Sequence, residues 1–137
     1  MDLSRTYIDW ARRNLALNGF SGRDHELVQA DCIDWLDKAR AYRGRFGLIF
    51  VDPPSFSTSK RMQSTFDVQR DHVALLRAAL PLLSDDGELV FSTNLRRFRL
   101  DSDALADLEI EDISAATIPR DFARNPHIHP CRRIRRR

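Results

Sequence analysis

The sequence predicts an α/β protein built on an open, mostly parallel sheet. Amphipathic helices alternate with short apolar strands in the order α-β-α-β-α-β-α-β-β, which is typical of strand–helix–strand crossovers. One strand, residues 46–51, is a continuous apolar run, as expected of a parallel strand buried on both faces. Polar residues follow the strands, at the edge where such sheets bind their ligands.

The first third of the chain contains two predicted helices and one predicted strand. Apolar residues at helical spacing predict a helix over residues 4–18, which the Asn-Gly pair at 18–19 ends. The apolar residues are Leu3, Tyr7, Trp10, Ala11 and Leu15. Residues 25–31 are predicted as a short strand that ends in an acid, and residues 32–42 return to helical spacing.

The rest of the chain supplies the other strands. A strong apolar stripe predicts a helix between residues 68 and 83, and Asp-Asp-Gly at 85–87 predicts a turn. The stripe is Val68, His72, Leu75, Leu76, Ala79, Leu80 and Leu83. After it we expect a strand at 88–93, a short helix near 102–108, and strands near 109–116 and 128–135.

Length and composition favour a single globular domain over the 137 residues. No apolar run approaches the roughly 18–20 residues that a bilayer span requires, and the N-terminus lacks a signal-peptide pattern. Cys32 and Cys131 do not make a disulfide framework. We therefore expect a cytoplasmic protein with no membrane partner.

Basic residues are concentrated locally. Of 22 basic residues 20 are arginine, and five of these lie among the last six residues, so the first 131 residues hold 17 basic against 20 acidic side chains. Arginine binds phosphate through two hydrogen bonds and stacks on bases, which fits a nucleic-acid partner. A compositional bias of the genome explains the same count equally well.

The strongest local motif is Asp52-Pro53-Pro54, directly after the apolar strand. Two prolines fix two φ angles and remove two backbone donors, and the first proline favours extended geometry at Asp52. The carbonyl oxygens of such a shelf can accept hydrogen bonds from the edge of a planar substrate. A plain loop is the alternative interpretation.

Asp2 and Asp31 form a second signal, because each follows a predicted strand. An acid at a strand end beside a nucleotide crevice typically accepts hydrogen bonds from ribose hydroxyls, and an acid after the next strand can receive the amine of an adenine. Both residues also precede helices, so helix capping is the competing interpretation. Together with Asp52 they favour a cofactor that contains a nucleoside.

A polar loop over residues 55–65 contains groups suited to nucleic acid. Lys60 and Arg61 can contact phosphates, and Phe56 or Phe66 can stack on a base. The alternative is a solvated loop with a hydrophobic staple.

Segment 94–99 places three arginines around an aromatic ring, a pattern that also suits nucleic acid. The segment contains Asn94, Arg96 and Arg97. His127 and His129 point the same way on a strand, but no third ligand is evident, so we expect no metal.

Four segments resemble the C-terminal methyltransferase half of the bacterial fused 23S rRNA methyltransferase K/L. They begin with Asp52-Pro53-Pro54-Ser55-Phe56-Ser57-Thr58-Ser59-Lys60-Arg61-Met62 and continue with Thr65–His72, Phe91–Asn94, and Asp121–Asn125 with Ile128-His129. The similarity covers nearly the whole chain. It implies a Rossmann-like, class I methyltransferase sheet with an antiparallel C-terminal strand, S-adenosyl-L-methionine as cofactor, and methylation of guanine N7 in 23S rRNA.

The resemblance also implies residue roles. Asp2 would hold the cofactor ribose, Asp31 and Cys32 would meet its adenine, and Asp52 would line the junction of cofactor and guanine. Pro53 and Pro54 would complete that junction. The substrate side would comprise Ser55, Phe56, Lys60, Arg61, Asn94, Arg96 and Arg97.

The glycine-rich first turn of the family is not found, since the five glycines form no Gly-x-Gly. The match starts at the end of the family's second strand, which implies one partial domain that lacks its first βα unit. We therefore expect the N-terminal portion of the same enzyme as a partner, and weak or absent activity for this chain alone.

Three alternatives remain open. An amino-group methylase acting on adenine N6 or cytosine N4 also uses Asp-Pro-Pro, but usually with an aromatic residue where Ser55 stands here. A cytosine C5 methylase would need a nucleophile such as Cys131, which is predicted in the last strand, away from the shelf. A non-catalytic RNA-binding domain would be expected to have a broadly basic body.

Overall fold

The computed structural model describes residues 1–20, 22–58, 65–122, 124–125 and 128–137. Its chain divides into two compact units, Met1–Lys38 and Ala39–Arg137. Among the described residues, none of the helices combines the length and the apolar character needed to cross a bilayer.

The first unit is built on two helices. Helix α1, Arg5–Leu17, ends where Gly19 adopts a positive φ of 75°. The amides of Gly19 and Phe20 then bond to the carbonyls of Ala16 and Leu15, which satisfies the end of the helix. Helix α2 is Cys32–Lys38.

The stripe predicted for α1 is only partly buried. Ile8 is the buried residue of this helix, whereas Tyr7 and Trp10 are 57% and 61% exposed. The strand expected at 25–31 is also reduced. It is a single parallel bridge between Asp2 and Gln29, because only two backbone hydrogen bonds, of 3.1 and 3.2 Å, join these segments.

The second unit begins with a 3₁₀ turn, Ala39–Tyr42, and its described residues form six strands and two helices. In chain order they are β1 (Phe46–Val51), β2 (Phe56–Ser57), β3 (Phe66–Asp67), α3 (Val68–Ala79), β4 (Leu83–Ser92), β5 (Leu108–Asp112), α4 (Ser114–Thr117) and β6 (Cys131–Arg136). Further 3₁₀ turns are Leu80–Leu82 and Arg120–Phe122.

Four strands form the main sheet in the order β1-β4-β6-β5. Strands β1 and β4 are parallel, and β6 runs antiparallel to both of its neighbours, so β1, β4 and β5 share one direction. This confirms the predicted mostly parallel sheet with an antiparallel C-terminal strand. The carboxyl ends of β1 and β4 therefore lie at one edge of the sheet.

The core lies between α3 and one face of this sheet. All seven residues of the predicted stripe between 68 and 83 are buried. On the sheet, Leu89, Phe91 and Ile134 are fully buried. Burial of side chains of this size typically contributes about 1.5–3 kcal/mol each, which makes this layer the main stabilising contact of the unit.

The opposite face of the sheet is not covered in the same way. Leu48 and Phe50 of β1 pair in register with Glu88 and Val90, on the face opposite to Phe91. Leu48 and Phe50 are 60% and 65% exposed. The expectation that β1 is buried on both faces is thus wrong for this face.

Strand β4 begins earlier than predicted. Residues 85–87 are part of the strand rather than a turn, and the register with β1 shifts between Phe46 and Leu48. Gly87 allows this geometry, because a Cβ atom there would lie 2.8 Å from the carbonyl oxygen of Phe46.

The helix expected near 102–108 is a series of turns. The carboxylate of Asp101 accepts a 2.9 Å hydrogen bond from the amide of Ala104, and Leu108 bonds back to Leu105. Hydrogen bonds to a side chain, and between backbone groups three residues apart, thus satisfy backbone N–H groups of this segment in place of a helix.

Candidate functional site

The Asp-Pro-Pro shelf lies at the carboxyl end of β1, as predicted. The hydroxyl of Ser92, at the end of β4, donates a 2.7 Å hydrogen bond to Oδ1 of Asp52. This bond joins the ends of the two parallel strands. Asp52 and Pro54 are exposed, and Pro53 is half-buried.

Ser55 connects the shelf to two other segments. Its hydroxyl donates a 2.6 Å hydrogen bond to Oδ1 of Asn94, and its carbonyl accepts from the amide of Val68 at 3.1 Å. The structure therefore brings Asp52, Ser55 and Asn94 to one edge of the sheet, although they are up to 42 positions apart in the sequence.

The aromatic candidates separate clearly by burial. Strands β2 and β3 pair so that Phe56 lies opposite Asp67 and Ser57 opposite Phe66. Phe56 is 56% exposed, whereas Phe66 is only 7% exposed. Phe56 is thus the ring that is accessible for stacking on a base.

Lys60 and Arg61 lie outside the described residues. Arg96 and Arg97 are exposed on a tight turn, which the amide of Phe98 closes by a 2.9 Å bond to the carbonyl of Leu95. This turn follows directly on Asn94, whose side chain bonds to Ser55 next to the shelf, so the two predicted substrate-side arginines lie two and three positions from a residue that contacts this segment.

Asp2 and Asp31 lie together in the first unit, next to the bridge between Asp2 and Gln29. Oδ1 of Asp2 accepts from the amide of Ser4 at 2.7 Å, and Oδ1 of Asp31 accepts from Ile33 at 2.9 Å. Asp31 directly precedes α2 and also accepts from the amide of Asp34, so it caps that helix, as the competing interpretation of the sequence expects. Asp2 instead bonds to Ser4, the residue before the first turn of α1, and forms a local turn rather than a helix cap.

Each of these hydrogen bonds holds its carboxylate in one orientation beside the bridge. A pair of acids so placed is the type of acceptor set that suits the ribose hydroxyls and adenine amine of a nucleoside cofactor. Cys32, which follows Asp31, is exposed at the start of α2.

The structure corrects the expected position of Cys131. It pairs in register with Ser92, the residue bonded to Asp52, so it lies beside the shelf rather than away from it. Burial raises the pKa of its thiol, and the carboxylates of Asp112 and Asp52 act in the same direction. A buried thiol of raised pKa is a poor nucleophile, which weighs against a cytosine C5 methylase.

Two further features were missed from the sequence. Ser92 orients Asp52, and the alternation of β4, which places Ser92 on the same face as Glu88 and Val90, is the signal that could have identified it. Gln69 and His72 of α3 bond to segment 99–101, a contact between distant positions that no local pattern indicates. Within the described ranges, no cluster of three or more His, Cys, Asp or Glu residues could hold a metal ion.

Curated relatives match nearly the whole chain. Proteins named ribosomal RNA large subunit methyltransferase K/L are 61% identical over 131 residues in Allochromatium vinosum, 60% over 134 in Methylococcus capsulatus and 56% over 137 in Syntrophotalea carbinolica. These matches cover 96%, 98% and 100% of this chain, but only 18%, 18% and 19% of the relatives. No protein-family model matches the chain.

Solved structures support the fold. SMU.776, described as a methyltransferase and solved in complex with SAH, matches with a TM-score of 0.79 at 24% identity, over 96% of this chain and 37% of that protein. The SAM-dependent methyltransferase from Agrobacterium tumefaciens matches with a TM-score of 0.68 at 14% identity, over 96% of this chain and 46% of that protein. Over nearly its whole length, this chain is therefore homologous to one segment, about a fifth in length, of the ribosomal RNA large subunit methyltransferase K/L proteins, and it has a truncated Rossmann-like methyltransferase fold.

Proposed function

We propose that this chain is part of an enzyme that transfers a methyl group from S-adenosyl-L-methionine to N7 of a guanine in 23S rRNA. The observation that carries the proposal is the junction of Asp52, Ser55 and Asn94 at the carboxyl edge of the sheet, in a chain homologous to rRNA methyltransferases. Ligands of open α/β sheets bind at this edge.

The orientation of Asn94 supports guanine. An O···O distance of 2.6 Å is typical of a hydroxyl donor and short for an amide donor, so Ser55 donates to the carbonyl oxygen of Asn94. The NH₂ group of Asn94 is then the donor that a substrate meets. Guanine presents acceptors at O6 and N7, whereas adenine presents a donor at N6.

The cofactor would supply an electrophilic methyl group carried on sulfur. Asp2, Asp31 and Cys32 would bind its nucleoside, and Asp52 would lie where the methyl group and the base meet. Guanine N7 has a lone pair and no proton, so the transfer needs alignment of the two groups and no general base. The chain's residues would therefore bind the cofactor and the base and orient them towards each other.

The other candidate residues complete the substrate side in this proposal. Pro53 and Pro54 would hold the rigid shelf, and Phe56 would stack on a base. Lys60 and Arg61 would contact phosphates, as would Arg96 and Arg97. We also propose that the enzyme acts in the cytoplasm and that residues 1–137 form one partial domain completed by an N-terminal portion of the same enzyme.

Mass mapping tests the proposed reaction. Unmodified 23S rRNA transcribed in vitro is incubated with the full-length protein and S-adenosyl-L-methionine. The RNA is then digested, and the masses of the fragments are measured by mass spectrometry. We expect one guanosine to gain a methyl group, and transcripts made with 7-deazaguanosine to gain none. Methylation of the 7-deaza transcript, or of an adenosine or cytidine, would refute the assignment of guanine N7.

The isolated chain provides a second test. We expect weak or absent binding of S-adenosylhomocysteine to the 137 residues by calorimetry, because the glycine-rich turn that packs against the methionine part of the cofactor in the family is not found in them. Micromolar binding by this chain alone would contradict that expectation.

A further inference from the structure

Two sets of arginines among the described residues differ in whether they have acidic partners. Arginines of β6 form ion pairs with acidic residues of the same sheet. Arg135 bonds to Glu88 at 2.8 Å, and Arg133 bonds to Glu111 at 2.9 Å. Arg132 bonds to Asp112 at 2.7 Å. The most basic segment of the sequence is therefore largely neutralised within the fold.

Arg96 and Arg97 belong to the other set. Both are exposed, and neither has an acidic partner among the residues that the structure describes. They occupy the turn that joins Leu95 to Phe98, directly after Asn94. The fold thus presents two uncompensated guanidinium groups beside the shelf.

The start of this turn is fixed to the sheet. Thr93 is fully buried, and its amide donates a 3.1 Å bond to the carbonyl of Pro130. The hydroxyl of Thr93 accepts from the amide of Leu95 at 3.3 Å, and Asn94 is held by Ser55.

The end of the turn is fixed to α3. Both polar atoms of the Gln69 amide bond to the backbone of Arg99, one donating to its carbonyl and one accepting from its N–H, each at 2.8 Å. This contact has the two-way pattern of a pair of antiparallel strands, with a side chain in place of one strand.

His72 provides a second bond at the same end. Its Nδ1 lies 3.1 and 3.0 Å from the carbonyls of Val68 and Gln69, so Nδ1 carries the proton and Nε2 accepts. Nε2 accepts a 3.1 Å bond from the amide of Asp101. The ring of His72 also meets the buried ring of Phe98 edge-on, with centroids 4.9 Å apart.

We propose that Gln69 and His72 hold residues 95–99 as a preformed clamp in which Arg96 and Arg97 bind backbone phosphates of the RNA. The proposal rests on the RNA substrate of the proposed function. A turn fixed at both ends loses little conformational freedom on binding, so more of the guanidinium–phosphate interaction is retained as affinity. Gln69 and His72 are positioning residues, and Arg96 and Arg97 are the contacts.

RNA binding by the full-length protein at increasing salt, without cofactor, tests the contacts. The slope of log K against log salt concentration is negative, and each lost phosphate contact reduces its magnitude by about 0.7 for single-stranded RNA. For the Arg96→Ala/Arg97→Ala variant, which lacks two contacts, the magnitude of the slope should therefore fall by about 1.4. Arg43→Ala is the matched control, because Arg43 is also exposed but precedes β1, at the opposite end of the sheet. The slope of this variant should be that of the wild type. An unchanged slope in the double variant would overturn the phosphate contacts.

Gln69→Met tests the positioning role without changing the charge. We expect KM for RNA to rise several-fold with kcat nearly unchanged, and cofactor affinity to remain that of the wild type. A lower melting temperature with unchanged KM would reduce Gln69 to a structural residue. If the salt slopes change as expected but no guanine is methylated, the proposed reaction is wrong and the proposed clamp is supported. If methylation is normal and the slopes do not change, the clamp is wrong and the proposed reaction is unaffected.

Discussion

The hydroxyl of Ser92 donates a 2.7 Å hydrogen bond to the carboxylate of Asp52, and this bond connects the ends of the parallel strands β1 and β4. Asp52 is exposed and its backbone is constrained by Pro53, so Ser92 is the contact that orients its side chain. A carboxylate at the proposed junction of cofactor and base must keep one orientation in order to position the two reacting groups.

Removing the Ser92 hydroxyl should lower methyl transfer while the fold is retained. We expect Ser92→Ala to reduce kcat/KM by several-fold, since a hydrogen bond to a charged group typically contributes about 1.5–3 kcal/mol and solvent compensates part of it at an exposed site. Asp52→Ala should reduce it further. The measurement is methyl incorporation into rRNA, with circular dichroism as the control for folding. Normal turnover of Asp52→Ala would remove Asp52 from the site.

The bond between Ser55 and Asn94 should determine which base is accepted. Ser55→Ala frees the amide of Asn94 to turn, and Asn94→Asp replaces its NH₂ donor with a second acceptor. We expect both variants to lose preference for guanine over 2-aminopurine, which lacks O6, because the donor that meets O6 is no longer fixed. Competition between the two bases in short RNA substrates measures this preference. An unchanged ratio in Asn94→Asp would exclude Asn94 from base selection.

Gly87 should be intolerant of a side chain. A Cβ atom there would lie 2.8 Å from the carbonyl oxygen of Phe46, a backbone atom that cannot move without disturbing the pairing of β1 with β4. We expect Gly87→Ala to lower the free energy of unfolding by about 1–3 kcal/mol. Gly47→Ala is the control, since nothing lies within 4 Å of a Cβ at that position. Equal stability of the two variants in urea denaturation would contradict the argument.

Periodicity was sufficient to predict the elements that hold the core. The stripe from Val68 to Leu83 recurs at helical spacing, and every member is buried. The helix itself ends at Ala79, so Leu80 lies in the following 3₁₀ turn and Leu83 begins β4. The limits of β1 were predicted at residues 46–51, since Asp52-Pro53 ends both the apolar run and the backbone pairing. Local sequence carries this information directly.

The errors arise where tertiary contacts decide. Asp85, Asp86 and Gly87 favour a turn locally, but close packing of Gly87 on Phe46 keeps them in β4. The count of five arginines in the last six residues likewise does not reveal their partners, such as Glu88 and Glu111, which lie on other strands. Pairing across the sheet depends on register, which composition and charge counts do not contain.

The ion pair between Arg77 and Asp107 predicts a specific pH dependence. Nη1 of Arg77 lies 2.7 Å from Oδ2 of Asp107, and Nη2 also bonds to the carbonyl of Ala104, so α3 is tied to the turns that replace the expected helix. The hydrogen bond from Arg77 lowers the pKa of Asp107 from 3.8 to about 2. Because the folded-state pKa is depressed, the ion pair stabilises the fold fully above pH 3.8, and its contribution is lost as the pH falls from there towards about 2.

An NMR titration of the Asp107 side-chain carbon measures this pKa directly. We expect a midpoint near 2 in the wild type and a return towards 3.8 in Arg77→Gln, which cannot supply the charged hydrogen bond. Arg43→Gln removes the same charge from an exposed position before β1 and should leave the midpoint low. Because the side chain of Asp107 is 60% exposed, high salt should raise its midpoint towards the ordinary value by screening the pair. A wild-type midpoint near 3.8 at low salt would show that Arg77 does not hold this carboxylate in solution.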